Sequence, residues 1–565
     1  MPESIAAIQR WEDSGRQLEK TVQAYLDSCK ALDFPIPGYS SGARTLISRI
    51  EDRLHSFNHL LTDRLNSARS SLAHTRNKLA APIFRLPDEI MSRIFSLTID
   101  INIGNTGGVR DRSAGFVTKV RYHTLHKLLG VCSEWRRIGV SQGTLWTLVP
   151  VIRHRDDRLT SMAAQLSFER AGSCRLHLVA DYPGPFSQSA VMAFMEDALS
   201  RYGSRFYSVN FRSEFYGHLV KALDRLIQAT SESPGSLREL SVCLSRSRLD
   251  HRRGCPFLYG QELHQYNSFN RMLESLHVLR LCRVRIHFRD LSLRSLTKLR
   301  FQKISYVSHD ELEVFLRALS SSSQLRDLEI ISVFVSGSAP SQPSDFQISL
   351  PALQRLYLED LYRDTFNAIL ASIAPGSYGV TLHLNRNCYM AVGHGPDSSS
   401  ILLALQGLKF RDFQIDTLIM GSDFDGSSMI KCHDLLKLVP TVTSLYIDSW
   451  TFGPQYLLNL VSPEDPNSGF PKLIKLHISR GKIPLSDLDA LKDVVASYPI
   501  EELGIGVLVT EMGEGDHSYD LQQPHEKLDP IRSWLLDTVP RVVWLPSDKF
   551  SKTSMHELES NVWAL

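Results

Sequence analysis

Eight cysteines and twenty histidines are the residues of this 565-residue chain best able to bind a metal or act as a nucleophile. No two cysteines form a C-x-x-C pair, and no cysteines and histidines have the spacing of a zinc finger. The chain also has no G-x-x-x-x-G-K-[ST] phosphate loop and no H-E-x-x-H pair. We therefore expect no catalysis, no metal site and no cofactor, and we expect reduced, mostly buried thiols.

Basic side chains are concentrated in Arg280–Lys303, and Arg246–Arg253 forms a second cluster. Together they could attract phosphates or an acidic or phosphorylated substrate. A solvated rim of charge is the simpler interpretation. Over the whole chain 63 basic residues balance 61 acidic ones, so no global field favours nucleic acid or a membrane surface.

Two short apolar segments point to a compact helical module. Arg85–Phe95 reads RLPDEIMSRIF, and its proline and acids suit the first turn of a helix. Ile90, Ile94 and Phe95 give this helix an apolar stripe that must be buried against another element. Leu128–Trp146 reads LLGVCSEWRRIGVSQGTLW and repeats the helical period. The two segments therefore predict helices that pack together.

These segments resemble the F-box, in the form common in mushroom-type (basidiomycete) fungi. The resemblance implies a three-helix module that binds the Skp-type adaptor of an SCF ubiquitin ligase and, through it, cullin and RING subunits. The matching residues, which the resemblance implies bind the adaptor, are Leu86, Pro87, Glu89, Ile90, Ile94, Phe95, Val131, Cys132, Trp135, Leu145 and Trp146, with Arg136 beside them. Ile90, Ile94, Phe95 and Trp146 are expected to be shared between the core of the module and the adaptor interface.

Residues 97–123 separate the two halves of this motif and contain INIGNTGG, which has no hydrophobic period. We predict a surface loop inserted in the module. Before the motif, heptad-like runs predict two helices joined by a turn near Pro35 and Gly38. An intramolecular hairpin packed on the F-box and a dimerising coiled coil are both compatible with these runs.

An L-x-x-L-x-L pattern recurs after Pro150, with steps mostly between the high twenties and low thirties. Helical segments such as His309–Leu319 lie between the copies. This period falls around that of leucine-rich repeats and predicts a curved solenoid with parallel strands. The region resembles the divergent repeats of fungal F-box proteins.

Side chains alternate along a strand, so residues beside the central leucines face away from the core. We expect a concave, substrate-binding face of mixed charge with aromatic and arginine anchors. An ordinary solvated face is the alternative. Its predicted members are Arg280, Lys298, Arg300, Glu329, Arg355, Tyr357, His383, Tyr446, Asp448, Lys475 and His477.

The predicted organisation is α/β. It has a helical hairpin at 1–82, an F-box at 83–149 with its loop at 97–123, a leucine-rich-repeat-like solenoid at 150–545 and a tail at 546–565. The expected function is a non-catalytic, substrate-recognition subunit of an SCF ligase whose target protein is unknown. The alternative is a repeat scaffold or nucleic-acid-binding protein in which the F-box-like helices only cap the solenoid. The start of the chain lacks a secretory signal pattern and no apolar run is long enough for a membrane helix, so we expect a cytoplasmic or nuclear protein.

Overall fold

A computed structural model describes most of the chain and divides it into two compact units, Met1–Pro87 and Asp88–Leu565. The described residues are 2–32, 41–104, 114–152, 157–182, 189–245, 255–260, 265–336, 346–389, 412–421, 432–465, 469–511, 517–545 and 547, except 232, 234 and 290. The predicted tail and the cluster Arg246–Arg253 therefore lie outside the described residues, apart from Ser547.

The first unit is helical, as the heptad-like spacing predicts. Its helices are α1 (Pro2–Lys30), α2 (Ser41–Asp52) and α3 (Asn58–Ala80), with a π-helical turn at Arg53–Phe57 and a 3-10 turn at Pro82–Arg85. The apolar seam of the heptads is exposed in this single chain, as at Leu18, Val22, Tyr25, Ile47 and Leu54. The helices of this unit therefore form without burying this seam in the single chain.

Three helices open the second unit: α4 (Asp88–Gly104), α5 (Ala114–Leu129) and α6 (Ser133–Ser141), followed by a 3-10 turn at Gly143–Trp146. The predicted surface loop at 97–123 is wrong in most of its length. Helix α4 continues to Gly104 because Ile99 extends the buried face of Phe95 by one turn. Helix α5 begins at Ala114 and buries Val117, Leu125 and Leu129. Residues 105–113 are not described.

One 15-stranded sheet forms the rest of the unit. Strands pair in chain order, and every described pairing is parallel except that of β16 with β15; β17 pairs with β15, and β7 and β9 form a separate small sheet. The strands are β1 (Leu148–Ile152), β2 (Leu176–Tyr182), β3 (Phe206–Ser213), β4 (Glu239–Leu244), β5 (Val278–Cys282), β6 (Lys298–Gln302), β7 (Ser305–Tyr306), β8 (Asp327–Ile331), β9 (Phe334–Val335), β10 (Arg355–Glu359), β11 (Gly379–Leu384), β12 (Ile415–Met420), β13 (Ser444–Asp448), β14 (Lys475–Pro484), β15 (Glu502–Glu511), β16 (His517–Asp520) and β17 (Arg541–Trp544).

Helices alternate with these strands and cover the leucine side of the sheet. Leucines of the repeated pattern, such as Leu279, Leu328 and Leu476, are fully buried. The prediction of an α/β chain with N-terminal helices and a long parallel sheet is confirmed. The helices are α7 (Asp157–Arg170), α8 (Ser189–Tyr202), α9 (Tyr216–Ser231), α10 (Tyr266–Glu274), α11 (His309–Leu319), α12 (Arg363–Ser372), α13 (Cys432–Leu438), α14 (Pro454–Leu458), α15 (Leu488–Ala496) and α16 (Asp529–Thr538).

A left-handed residue repeats at the carboxyl ends of the strands. Such a backbone costs a non-glycine residue roughly 1–2 kcal/mol. Its N–H extends the sheet ladder, as from Arg283 to the Gln302 carbonyl at 3.0 Å and from Lys303 to the Ile331 carbonyl at 2.8 Å. Among the described residues, the non-glycine residues at positive φ are Arg283, Lys303, Ser332, Asp360, Ser449 and Arg480, the last within β14. One turn geometry therefore closes successive strands.

Candidate functional site

Two large aromatic side chains form the centre of the helical module. Phe95 and Trp146 are both 0% exposed. The ring of Phe95 lies 5.1 Å from that of Trp135, and the Trp146 indole donates to the Gly139 carbonyl at 2.8 Å. Leu145 is buried as well. Phe95, Leu145 and Trp146 therefore lie inside the module rather than on its outer surface, which corrects the expectation that Phe95 and Trp146 are shared with an interface.

Helix α6 approaches the other two helices closely at Gly139. A Cβ there would lie 2.3 Å from Leu129 Cδ2, so a larger residue would require the Leu129 side chain to move. Cys132 caps α6, where its sulfur accepts from the Trp135 N–H at 3.5 Å. The Arg136 guanidinium donates to the Leu129 carbonyl at 3.2 Å. The V-C-x-x-W-R segment is thus mainly structural.

The outer side of α4 is apolar and exposed. Ile90, Leu97 and Ile101 are 49%, 45% and 61% exposed, and Ile94 between them is half-buried. Spacings of four and three residues place all four on one side of the helix. We call these four residues the outer stripe. Because the inner side buries Met91 and Phe95, α4 is apolar on two sides.

The remaining predicted adaptor-binding residues differ in position. Leu86 and Pro87 belong to the N-terminal unit and are exposed, as is Glu89 at the start of α4. Val131, between α5 and α6, is 58% exposed. Sequence reasoning missed the contact of Arg137 with both Asp88 carboxylate oxygens at 2.9 Å, which ties α6 to the start of α4. Nothing in the sequence alone pairs these two residues.

Gly139–Gly143 reads GVSQG and has the letters of a serine-hydrolase elbow, a motif that sequence reasoning passed over. That elbow needs a strand, a sharp turn and a helix that together expose the serine. Here the segment is the end of helix α6, and the Ser141 hydroxyl donates to the Ile138 carbonyl at 3.0 Å. This geometry does not present a nucleophile.

The sheet side opposite the buried leucines carries all the predicted substrate-binding residues, which alternate with buried apolar positions. We call this side the polar face. Cross-strand register brings these residues into clusters that the sequence pattern alone does not reveal. The predicted members are Arg280, Lys298, Arg300, Glu329, Arg355, Tyr357, His383, Tyr446, Asp448, Lys475 and His477.

Glu329 is the centre of the largest cluster on the polar face. Its carboxylate lies 2.9 Å from Lys298 Nζ, 2.8 Å from Arg300 Nη1 and 3.1 Å from Arg355 Nη2. Both Glu329 and Arg300 are buried. Burial lowers the pKa of Arg300, and the carboxylates of Glu329 and Glu359 oppose that shift. Three cations therefore share one buried carboxylate.

Other cations of the basic segment Arg280–Lys303 also have internal partners. Arg280 lies 3.7 Å from Glu239, and Arg285 lies 2.6 Å from Glu311. These pairings leave less of the positive charge available to phosphates than the sequence count suggests. Arg280, Arg285, Lys298 and Arg300 thus have internal ion-pair partners, and the phosphate site and the solvated rim both stay predictions.

A second cluster surrounds His477 near the end of the sheet. Its Nε2 lies 3.0 Å from a Glu502 oxygen, and its ring meets that of Tyr446 edge-on with centroids 4.8 Å apart. Gly504 lies beneath it, since a Cβ there would be 2.7 Å from the imidazole. Burial lowers the pKa of His477, while Glu502 acts in the opposite direction.

Among the described residues, no group of three or more His, Cys, Asp or Glu side chains is placed to bind a metal. None of the described helices has the length and apolarity needed to span a bilayer. No family model matches the chain, and no curated protein does. No family is identified. The findings establish a large α/β protein whose long, mostly parallel sheet alternates with helices.

Proposed function

We propose that this protein is a substrate-recognition subunit of an SCF-type ubiquitin ligase. In this proposal the helices α4–α6 bind a Skp-type adaptor, which connects the chain to cullin and RING subunits. The long sheet and the helices between its strands bind a target protein. The chain itself positions the target protein, while the partner subunits carry out the ligase chemistry.

The outer stripe of α4 is the observation that carries this proposal. A helix that already buries Met91, Phe95 and Ile99 does not need a second apolar side for its own packing. Contiguous exposed apolar surface on a folded unit marks an interaction site. The stripe lies in the segment that resembles the F-box, and the stripe residues Ile90 and Ile94 are among the matched positions.

We further propose that the sheet is the strand layer of a leucine-rich-repeat-like solenoid whose polar face contacts the target. From β1 to β16 the strands of the long sheet pair in chain order and alternate with helices, which supports this proposal. The repeated left-handed residue supports it as well. Arg355 and Lys475 are the predicted members with the most exposed side chains, at 44% and 45%.

A binding titration with a purified Skp-type adaptor tests the proposal. The variant Ile90→Ala/Leu97→Ala should weaken binding about thirtyfold or more, because truncating an interface anchor typically costs ~2 kcal/mol. The matched control is Leu458→Ala/Leu536→Ala, whose parent side chains are 56% and 55% exposed on other helices. If the parent chain does not bind the adaptor, or if both variants bind equally, the proposal is wrong.

A second candidate is a repeat scaffold or nucleic-acid-binding protein in which the helices serve as a cap. One observation favours it: α5 packs on the first two strands, where Tyr122 donates to the Leu148 carbonyl at 2.7 Å. A Cβ at Gly115 would lie 2.6 Å from Asp181 Oδ2. Purification from a cell extract separates the candidates, since adaptor and cullin in the eluate support the ligase subunit and nucleic acid alone supports the scaffold.

A further inference from the structure

Two cysteines face each other across adjacent strands of the sheet. Cys243 of β4 and Cys282 of β5 are register partners, and their side chains lie on the polar face at 4% and 5% exposure. Neighbouring strands are ~4.8 Å apart, so the two Cα atoms are about as close as a disulfide requires, roughly 4.4–6.8 Å. Both thiols are free in this structure.

Cations lie near the pair at the carboxyl ends of the strands, while the two cysteines themselves belong to an apolar cluster with Leu148 and Val179. Arg212 of β3 is the register partner of Cys243 on its other side. Arg283 directly follows Cys282, and Lys303 follows Gln302, the register partner of Cys282 on β6. Neighbouring cations stabilise a thiolate, which is the nucleophilic form of cysteine.

The two thiols are not equivalent. The neighbouring Cys243 thiol lowers the pKa of Cys282, and Arg283, Lys303 and Arg212 act in the same direction against the effect of burial. The Cys282 side chain, together with burial, raises the pKa of Cys243. Cys282 is thus the better nucleophile, and Cys243 holds a proton beside it.

Two other buried cysteines provide an internal contrast. Burial raises the pKa of Cys388 and that of Cys432 to about 12. Each pKa unit reduces the thiolate population at neutral pH about tenfold. Burial is the main cause of the raised pKa of these two cysteines, whereas the cations and the neighbouring thiol act against burial at Cys282.

We propose that Cys282 and Cys243 form an oxidisable dithiol site whose substrate is a hydroperoxide. The Cys282 thiolate attacks the peroxide, the O–O bond breaks, and Cys282 becomes a sulfenic acid while hydroxide (for hydrogen peroxide) leaves. The Cys243 sulfur then attacks the Cys282 sulfur, and the S–O bond breaks as water leaves. The peroxide is reduced by two electrons and the thiols are oxidised to one disulfide between β4 and β5.

Peptide mapping of the folded full-length chain tests this site. The reduced protein is treated with one equivalent of hydrogen peroxide, quenched with acid, alkylated and digested without reductant. We expect a peptide pair joined through Cys243 and Cys282, and oxidation of Cys282 at least about tenfold faster than that of Cys388 or Cys432. Equal rates at all three buried cysteines, or no joined pair, would overturn the proposal.

Three variants assign the roles. Cys243→Ser should leave a Cys282 sulfenic acid that a dimedone probe labels, and Cys282→Ser should leave Cys243 unlabelled. Lys303→Gln changes an exposed side chain, so it keeps the test valid if the cysteine variants fold poorly, and it should slow the oxidation of Cys282. Unchanged kinetics in Lys303→Gln, or labelling of Cys243 in Cys282→Ser, would contradict the assigned roles. This site does not depend on the proposed ligase function.

Discussion

The outer stripe of α4 and the polar face of the sheet differ in how their side chains are satisfied. On the stripe, Ile90, Leu97 and Ile101 are apolar and about half exposed. On the polar face, Glu329 and its cations are charged but buried, and they satisfy one another. Covering the stripe with another surface would lower the free energy, because it removes apolar area from water. The charged side chains around Glu329 already have ion-pair partners.

This difference shows that the charge or apolarity of a residue in the sequence does not tell whether its side chain is exposed to a binding partner. Several cations of the strongly basic segment Arg280–Lys303 form ion pairs inside the protein. A three-turn stripe of ordinary isoleucine and leucine remains available. The substitutions that follow alter either helix α4 or the polar face and leave the other region unchanged.

The largest expected effect separates the two sides of α4. Phe95→Ala should lower the free energy of unfolding by about 3–5 kcal/mol, because it empties a fully buried aromatic position. Ile90→Ala should change it by less than about 1 kcal/mol, because Ile90 is half exposed. Chemical denaturation of both variants measures the difference. Equal losses would mean that the outer stripe belongs to the core after all.

Glu329→Gln tests the internal pairing on the polar face. The change leaves Arg300 buried with a neutral partner, so we expect a loss of about 3 kcal/mol in the free energy of unfolding. Glu313→Gln is the matched control, since Glu313 pairs with Arg317 on the surface of α11 and such pairs contribute at most about 1 kcal/mol. A loss no larger than that of the control would show that the cluster is solvated.

Gly504→Ala tests the close packing under His477. The new methyl would lie within 3 Å of the imidazole, so either the ring or β15 must shift. We expect a loss of about 1–3 kcal/mol, the usual result of overpacking. Gly217→Ala serves as the control, because a Cβ there meets nothing within 4 Å. Thermal unfolding of the two variants measures the effect, and equal transition temperatures would contradict it.

The smallest effect concerns pH. The folded pKa of His477 lies below its ordinary value of 6.5, so between these two values the unfolded chain binds a proton that the folded chain does not. The free energy of unfolding should therefore fall as pH decreases below about 6.5. His477→Gln should make this decrease shallower, and His517→Gln, which changes an exposed residue, should not. Denaturation midpoints at several pH values measure it.

Local spacing was sufficient to predict the strands that carry the L-x-x-L-x-L pattern, because each copy indicates which of its residues are buried. It was not sufficient for α4. Ile90, Ile94 and Phe95 were interpreted as one stripe, but five residues turn a helix by about 140°, so Phe95 points inward and Ile90 outward. The packing of α5 and α6 determines which side of α4 is buried, and local sequence spacing does not predict that packing.

Contacts between strands could not be predicted for a related reason. Arg300 and Glu329, like Cys243 and Cys282, are separated by a helix or a long connection, and only the register of the sheet makes them neighbours. The extension of α4 beyond Leu97 was missed because asparagine and glycine follow shortly after Ile101. Ile99, four residues after Phe95, was the signal that could have found it.

The left-handed residue after each of several strands has an evolutionary consequence. The N–H of the left-handed residue donates to a carbonyl of the next strand. One strand and its helix therefore contain the group that bonds them to the following strand. In the proposed solenoid, such a unit can be duplicated or lost without redesigning its neighbours. The length of the sheet can then change by whole strand-and-helix units.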